Sequence, residues 1–478
     1  MKKDILEHRW WIVILVGLCT SSLGVAQKSP KDTFTFPELN KIVMPDVQRT
    51  ELKNGMRLFL VQDKEFPTVD LRAMVKVGSV YEPGEKTGLA AITGTVLRTG
   101  GTETMTGEQI DAMFELLGGS VETGIGQEWG FVSISVFKQD LEKGLRVLTD
   151  LLMRPAFRAE KIDLAKIRER SIISRRNDEV WSIRGREFGK LIYGAESPYA
   201  RNPEHAAIDA ITREDIISFY RRFFHPNNTI LAVWGDVEPT RMKEEITKAF
   251  SSWEATPIDF PKERDVEYQH TYTMNYIHKP ELNQSHIQMG HIGGMMSSPD
   301  YPALVIMTQI LDRDRMFNTI RSTEGLTYAP WGFYDADYDH PGVFSCGTQT
   351  KSQSTVYAIR LMLEEVKRMT QEEVTQEELQ RAKDSYLNSF VFNFDSKEKT
   401  VSRLMTYAFY GYPLDFAEQT KKGIENVTRK DVLRVAKKHL EPDKLQILVV
   451  GNQEDFDEPL SVLGSVNTID ITIPGPAK

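Results

Sequence analysis

A segment near the middle of this chain is written again near its end. Ile211-Thr212-Arg213-Glu214-Asp215-Ile216 returns as Val427-Thr428-Arg429-Lys430-Asp431-Val432. Downstream, Pro226-Asn227-Asn228-Thr229-Ile230-Leu231-Ala232-Val233-Trp234-Gly235-Asp236 returns as Pro442-Asp443-Lys444-Leu445-Gln446-Ile447-Leu448-Val449-Val450-Gly451-Asn452. Thr212 and Thr428, Pro226 and Pro442, and Gly235 and Gly451 each stand 216 positions apart, and Tyr193-Gly194 precedes Tyr410-Gly411 by 217. A constant offset across a helix start, a turn and a strand marks a duplicated folding unit rather than chance composition.

Local chemistry is the same in both copies. Thr212 with Asp215, and Thr428 with Asp431, have capping-box spacing at a helix start. Each helix stops before a proline, and a β-rich run follows that closes on Gly235-Asp236 or Gly451-Asn452. Each half is therefore expected to be α+β. In the first, 56–61, 69–77 and 132–137 read as strands. Residues 106–117 read as a helix opened by Thr106 and Gln109 and closed by Gly118-Gly119. Leu141, Leu145, Leu148, Leu151 and Leu152 form an apolar helical stripe ending before Pro155, which belongs to a core. The expected division is a first domain over 46–254, a polar, proline-containing linker over 255–271, a second domain over 272–470 and a tail over 471–478.

Export is expected from the N-terminus. Lys2, Lys3 and Arg9 precede an apolar run over 10–18 and a small-residue tail ending Gly24-Val25-Ala26, as in a cleaved signal peptide. The run is shorter than the ~20 apolar residues a membrane span needs. A lipid-modified Cys19 is the weaker alternative, because Leu18 is bulky. Residues 27–45 read as an arm. Removing 1–26 takes the formal charge from −9 to −10 and leaves Cys346 as the only cysteine. The mature protein then has no disulfide to stabilise it and relies on its cores. So acidic a chain, with no long basic run, excludes general nucleic-acid binding.

Asn54-Gly55-Met56 before a strand, Val77-Gly78-Ser79, Gly88-Leu89-Ala90 and Gly100-Gly101-Thr102, followed by a paired second half, resemble the insulinase/pitrilysin family of zinc metallopeptidases. The likeness is nearest to the short bacterial and mitochondrial-processing-peptidase type. It implies two homologous α+β domains facing each other as a clamshell, each with a mostly antiparallel sheet flanked by helices. Active relatives carry His-x-x-Glu-His after the Gly-Leu-Ala position: two imidazoles one helical turn apart hold zinc, and the Glu activates its water. Here those positions hold Ala91, Ile92, Thr93, Gly94 and Thr95. The family's third ligand, a Glu, would fall near Arg170–Asn177, which has no carboxylate ahead of Asp178. No metal or other cofactor is expected on this chain. The nine His are scattered, and His286 and His291 point to opposite faces of a β-like run.

The second half retains a motif. Ile320-Arg321-Ser322-Thr323-Glu324-Gly325-Leu326-Thr327-Tyr328 resembles the family segment whose Arg and Tyr contact substrate near the scissile bond. That makes Arg321 and Tyr328 the expected substrate-binding residues. Two departures stand out. Residues 311–316 are a charged stretch where relatives have a Gly-rich loop, and 118–123 sit where relatives bind substrate as an added strand. The reading is a non-catalytic, periplasmic subunit that lends Arg321 and Tyr328 to a zinc-bearing homologous partner acting on peptides or unfolded protein. The rival is a purely structural or peptide-binding protein of the same fold.

Overall fold

The computed structural model describes residues 46–261 and 271–475. The expected leader and arm lie outside the described residues. The first half runs β1 Gln48–Glu51, β2 Arg57–Gln62, β3 Thr68–Val75, α1 Leu89–Thr99, α2 Gly107–Leu117, β4 Ser120–Ile125, β5 Gly130–Phe137, α3 Leu141–Met153, α4 Ala159–Arg175, α5 Val180–Tyr193, α6 His205–Ala210, α7 Arg213–Phe223, β6 Thr229–Gly235 and α8 Pro239–Ala249. The second runs β7 Thr273–His278, β8 Gln284–Ile292, β9 Gly294–Met295, α9 Tyr301–Gln309, β10 Trp331–Tyr334, β11 Ala336–Asp337, β12 Val343–Lys351, α10 Thr355–Gln371, α11 Gln376–Ser389, α12 Lys397–Tyr410, α13 Phe416–Asn426, α14 Arg429–His439, β13 Gln446–Gly451 and β14 Val466–Thr468.

Each half builds a six-stranded sheet, and the two sheets share one order: β4-β5-β3-β6-β2-β1 in the first and β10-β12-β8-β13-β7-β14 in the second. In both, a parallel pair (β2 with β6, β7 with β13) lies next to an antiparallel one (β6 with β3, β13 with β8). The register repeats as well: Gln62 faces Gly235 as His278 faces Gly451. The copies differ at the sixth strand, where β1 runs antiparallel to β2 but β14 runs parallel to β7. Capping boxes form at Thr106–Gln109, Thr212–Asp215 and Thr428–Asp431. Gly118 closes α2 in the left-handed region that a side chain would disfavour.

Alternation within the strands gives each sheet two apolar faces. One face of the first sheet, with Leu58, Leu71, Ile134 and Val233, is covered by α1, α2, α3 and α7 of its own half. Its other face, with Phe59, Val61, Met74, Ile230 and Trp234, is covered by Val401, Leu404 and Met405 of α12. The second sheet answers in kind: Ile277, Leu448 and Val450 lie under Ile183, Phe188 and Ile192 of α5. The two halves have thus exchanged equivalent helices, since α5 and α12 end at Tyr193 and Tyr410 of the repeat. Polar contacts fasten the exchange: Arg57 Nη1 donates to Ala408 O at 2.8 Å, Arg72 Nη1 to Ser402 Oγ at 3.1 Å, and Tyr193 Oη to Pro341 O at 2.9 Å.

Two details add to the sequence reading. Where relatives have a Gly-rich loop, α9 continues through 311–316 as a π-helical run, Ile310–Thr323. Its charges are held in place, with Asp312 accepting from Gly332 N at 3.2 Å, Asp314 paired with Arg381 at 2.7 Å, and buried Arg315 paired with Glu378 at 3.1 Å. The described part of the linker packs too, placing Ile258 and Phe260 against the first core. The tail returns there as well, through Ile473.

Candidate functional site

Helix α1 is where zinc would be bound in an active relative, and its start is firmly placed. Gly88 precedes it at φ +107°, a conformation side chains disfavour. Glu82 accepts from Gly88 N at 3.0 Å and Ala90 N at 2.8 Å, anchoring the positive end of the helix. Burial, opposed by those two hydrogen bonds, pushes the Glu82 carboxyl up to about 7. Ala91 and Thr95 then fall one turn apart, Ala91 exposed and Thr95 half-buried. Between them, Gly94 lies against strand β4: a Cβ there would stand 2.3 Å from Ile125 N, and Gly94 O accepts from Thr123 Oγ1 at 2.7 Å. The residues at these positions do not fit a zinc ion. A methyl, a hydroxyl and a glycine supply no imidazole or carboxylate, and β4 fills the space a glutamate would need. On α4, Arg170 is bound to Asp209, and Arg176 just beyond it pairs with Glu204 at 2.8 Å.

Arg321 and Tyr328 are brought together. The Arg321 guanidinium lies 4.4 Å from the Tyr328 ring centroid and 4.6 Å from that of Phe317, within cation–π range. Tyr328 is 80% exposed. It lines a cleft of about 450 Å³ with Trp181 of α5, Gln284 of β8, Gln349 and Lys351 of β12, and the turn over residues 325–329. The cleft therefore joins elements of both halves, and none of its lining comes from α1. The Thr350 hydroxyl holds the turn by donating to Leu326 O at 2.8 Å. In the first sheet, β4 is an end strand.

A second polar cluster joins the halves. His340 is almost fully buried; its Nδ1 lies 2.9 Å from Glu128 Oε1 and 3.1 Å from Asp339 Oδ1, and its Nε2 lies 3.4 Å from Asp337. The Tyr199 ring stacks on it at 4.0 Å, and Tyr410 donates to the other Glu128 oxygen. Burial alone would lower the imidazole pKa, but Asp339 and Glu128 outweigh it and hold it up to about 9. At neutral pH this is an imidazolium tying Glu128 of the first half to the second. Sequence reasoning passed over His340 as one of nine scattered histidines. The alternating acids Asp335, Asp337 and Asp339 before it were the available signal. Trp181 carried no signal, because it meets the second sheet only through the helix exchange.

Comparison with known proteins agrees with this geometry. Residues 57–184 match the model for insulinase (peptidase family M16), and 210–386 match that for the peptidase M16 inactive domain. The chain belongs to the insulinase family. An uncharacterized zinc protease of Rickettsia felis is 24% identical over 409 residues, 81% of this chain and 94% of that one. The non-peptidase homolog YmxG of Helicobacter pylori is 19% identical over 457 residues, 91% and 98% of the two chains. Among solved structures, a peptidase M16 inactive domain from Pseudomonas fluorescens superposes with a TM-score of 0.76 at 22% identity, covering 85% of this chain and 98% of its own. This insulinase-family chain is an inactive homologue, without the motif that binds zinc. Among the described residues, no helix is long and apolar enough to cross a membrane.

Proposed function

We propose that this chain is the non-catalytic subunit of a two-chain, extracytoplasmic zinc endopeptidase, lending Arg321 and Tyr328 to a zinc-bearing homologue. One observation carries the reading. Arg321 packs on the ring of Tyr328, which lines an open cleft, while α1 offers nothing to a metal. A guanidinium and a phenol can both donate to a carbonyl oxygen as it gains charge, which helps only when they are held in place beforehand. Two relatives are named as mitochondrial-processing peptidase subunit beta and probable mitochondrial-processing peptidase subunit alpha, at 23% identity over 220 and 466 residues. Subunit pairing is therefore found among the chain's relatives. The expected leader places the pair outside the cytoplasm; N-terminal sequencing of the mature protein starting at Gln27 would support that, and an intact N-terminus would refute it.

The test is a mixing assay with a homologue that carries His-x-x-Glu-His. The partner alone is expected to be slow, and adding this chain to raise peptide hydrolysis. Arg321→Ala or Tyr328→Phe should cut the stimulated rate by roughly 10²–10³, the usual loss for one oxyanion donor, without weakening association. Equal stimulation by wild type and both variants would make the chain a scaffold. No response at all would favour the structural or peptide-binding alternative.

A further inference from the structure

Arg184 is the fifth residue of α5, on a helix of the first half that packs on the second sheet. It is 8% exposed, yet no hydrogen bond or ion pair reaches it among the described residues, and its Nε and Nη1 are both buried without a partner. The neighbouring acid is not available to it: Glu187 is taken by Arg186 at 2.7 Å and Lys190 at 3.1 Å. Instead the guanidinium lies between two indoles, 4.3 Å from the Trp181 ring and 5.3 Å from the Trp331 ring. The site is built for that arrangement. Trp331 lies flat over Gly347, where a Cβ would meet the indole at 2.4 Å. Trp181 stands edge-on to His286 at 5.2 Å. His286 is itself 5% exposed with Nδ1 unpartnered, and burial together with the Arg184 charge lowers it to about 4, so it is neutral. Desolvation with no offsetting anion likewise lowers Arg184 to about 10.

A buried cation without a counter-charge is among the most unfavourable arrangements a fold can hold. Stacking on two ring faces leaves the planar N–H edge of a guanidinium available, and that edge matches a carboxylate. Trp181 is the shared wall: it packs on Arg184 on one side and lines the cleft of Tyr328, Gln284 and Lys351 on the other. It is 52% exposed and lies at the surface.

We infer that Arg184, framed by Trp181 and Trp331, is an anion pocket that receives a carboxylate of a peptide lying in the Tyr328 cleft. That the carboxylate belongs to a peptide rests on the function proposed above; the preference for a carboxylate rests on Arg184 alone. A peptide offers one from two sources, its C-terminus or an acidic side chain.

The test is calorimetric titration of the whole mature chain, with no partner present. Three versions of one uncharged octapeptide serve as probes: free C-terminus, C-terminal amide, and amide with a central Glu. Binding of a carboxylate-bearing version at least tenfold more tightly than the plain amide is expected, and the version that binds names the source. Arg184→Gln should reduce that version to the level of the amide. Arg184→Lys, which keeps the charge but loses the planar edge, should fall between. Equal affinity for all three peptides, absence of binding to any, or Arg184→Gln binding like wild type would each overturn the pocket. The three-peptide comparison needs no variant, so it stands even if Arg184→Gln folds poorly. Because no partner enters this titration, its outcome is independent of the mixing assay on Arg321 and Tyr328.

Discussion

At the scale of residues, the lost metal site is more than a set of missing ligands. Restoring the motif by Ala91→His, Gly94→Glu and Thr95→His would place a side chain at position 94 where a Cβ already stands 2.3 Å from Ile125 N. Strand β4 would have to leave α1, a misfit that typically costs about 1–3 kcal/mol. The triple variant is expected to melt lower than wild type and to bind no stoichiometric zinc by metal analysis. Tight zinc with an unchanged melting point would show that β4 yields freely. The His340 cluster makes a separate prediction. Its folded-state pKa of about 9 is raised above the ordinary 6.5, so its stabilisation is complete below about pH 6.5 and is lost as pH rises through about 9. Glu128, Asp337 and Asp339 face the ring, with Tyr199 and Tyr410 beside them and the charge of Lys76 acting on Asp339. After allowance for partial screening, the contribution is about 1–3 kcal/mol. Denaturant titrations should show wild-type stability falling between pH 6.5 and 9.5, and His340→Gln should flatten that slope. An unchanged slope would mean the imidazole is neutral in the fold. The absent ligands at 91 and 95 and the absent general base at 94 could be read directly from the sequence, because they depend on residue identity alone. Arg184 could not. Its burial and isolation come from Trp331, nearly 150 positions away, and nothing in the sequence around 184 announces that neighbour.

At the scale of elements, the repeat was legible wherever local chemistry decides structure. Thr212 and Thr428 each cap a helix through the same reciprocal bonds, with Asp215 N and Asp431 N donating to the threonine hydroxyls at 3.2 Å. Both threonines occupy equivalent places, so Thr212→Ala and Thr428→Ala should each cost about 1 kcal/mol. Equilibrium unfolding that finds one harmless and the other severe would break the equivalence. Elements governed by distant contacts were not legible. The sequence showed that 311–316 is charged where relatives have a Gly-rich loop, but not that Arg381 and Glu378 of α11 and the backbone of β10 satisfy those charges along a helix. The pairing sense of the sixth strand also escaped the repeat, because β1 precedes its half and β14 follows its own. Those strands enter their sheets from opposite ends of the chain and need share no direction.

At the scale of the whole molecule, the exchange of α5 and α12 decides how the halves can behave. A sheet with two apolar faces must cover both, and each half brings helices for only one. Expressed alone, residues 46–261 would expose Phe59, Val61, Met74, Ile230 and Trp234, and would carry Ile183, Phe188 and Ile192 on a helix with nothing to pack against. The second half would be left in the same position by Val401, Leu404 and Met405. Contiguous apolar patches of this kind mark an interface or an aggregation hazard. Each half alone should therefore be insoluble or poorly packed, whereas the two expressed together should assemble one to one with restored melting. In the intact chain the halves should unfold in one transition, since losing either exchanged helix uncovers the other half's sheet. Phe188→Ala, which opens a cavity under α5, should cost about 3–5 kcal/mol and lower the melting of both halves equally. Separate transitions for the two sheets, or a first half that folds alone, would show that the exchange is incidental. If it holds, the halves have no free hinge between them. A peptide would then have to approach through a surface cleft such as that at Tyr328, and full enclosure of a substrate would require a second chain.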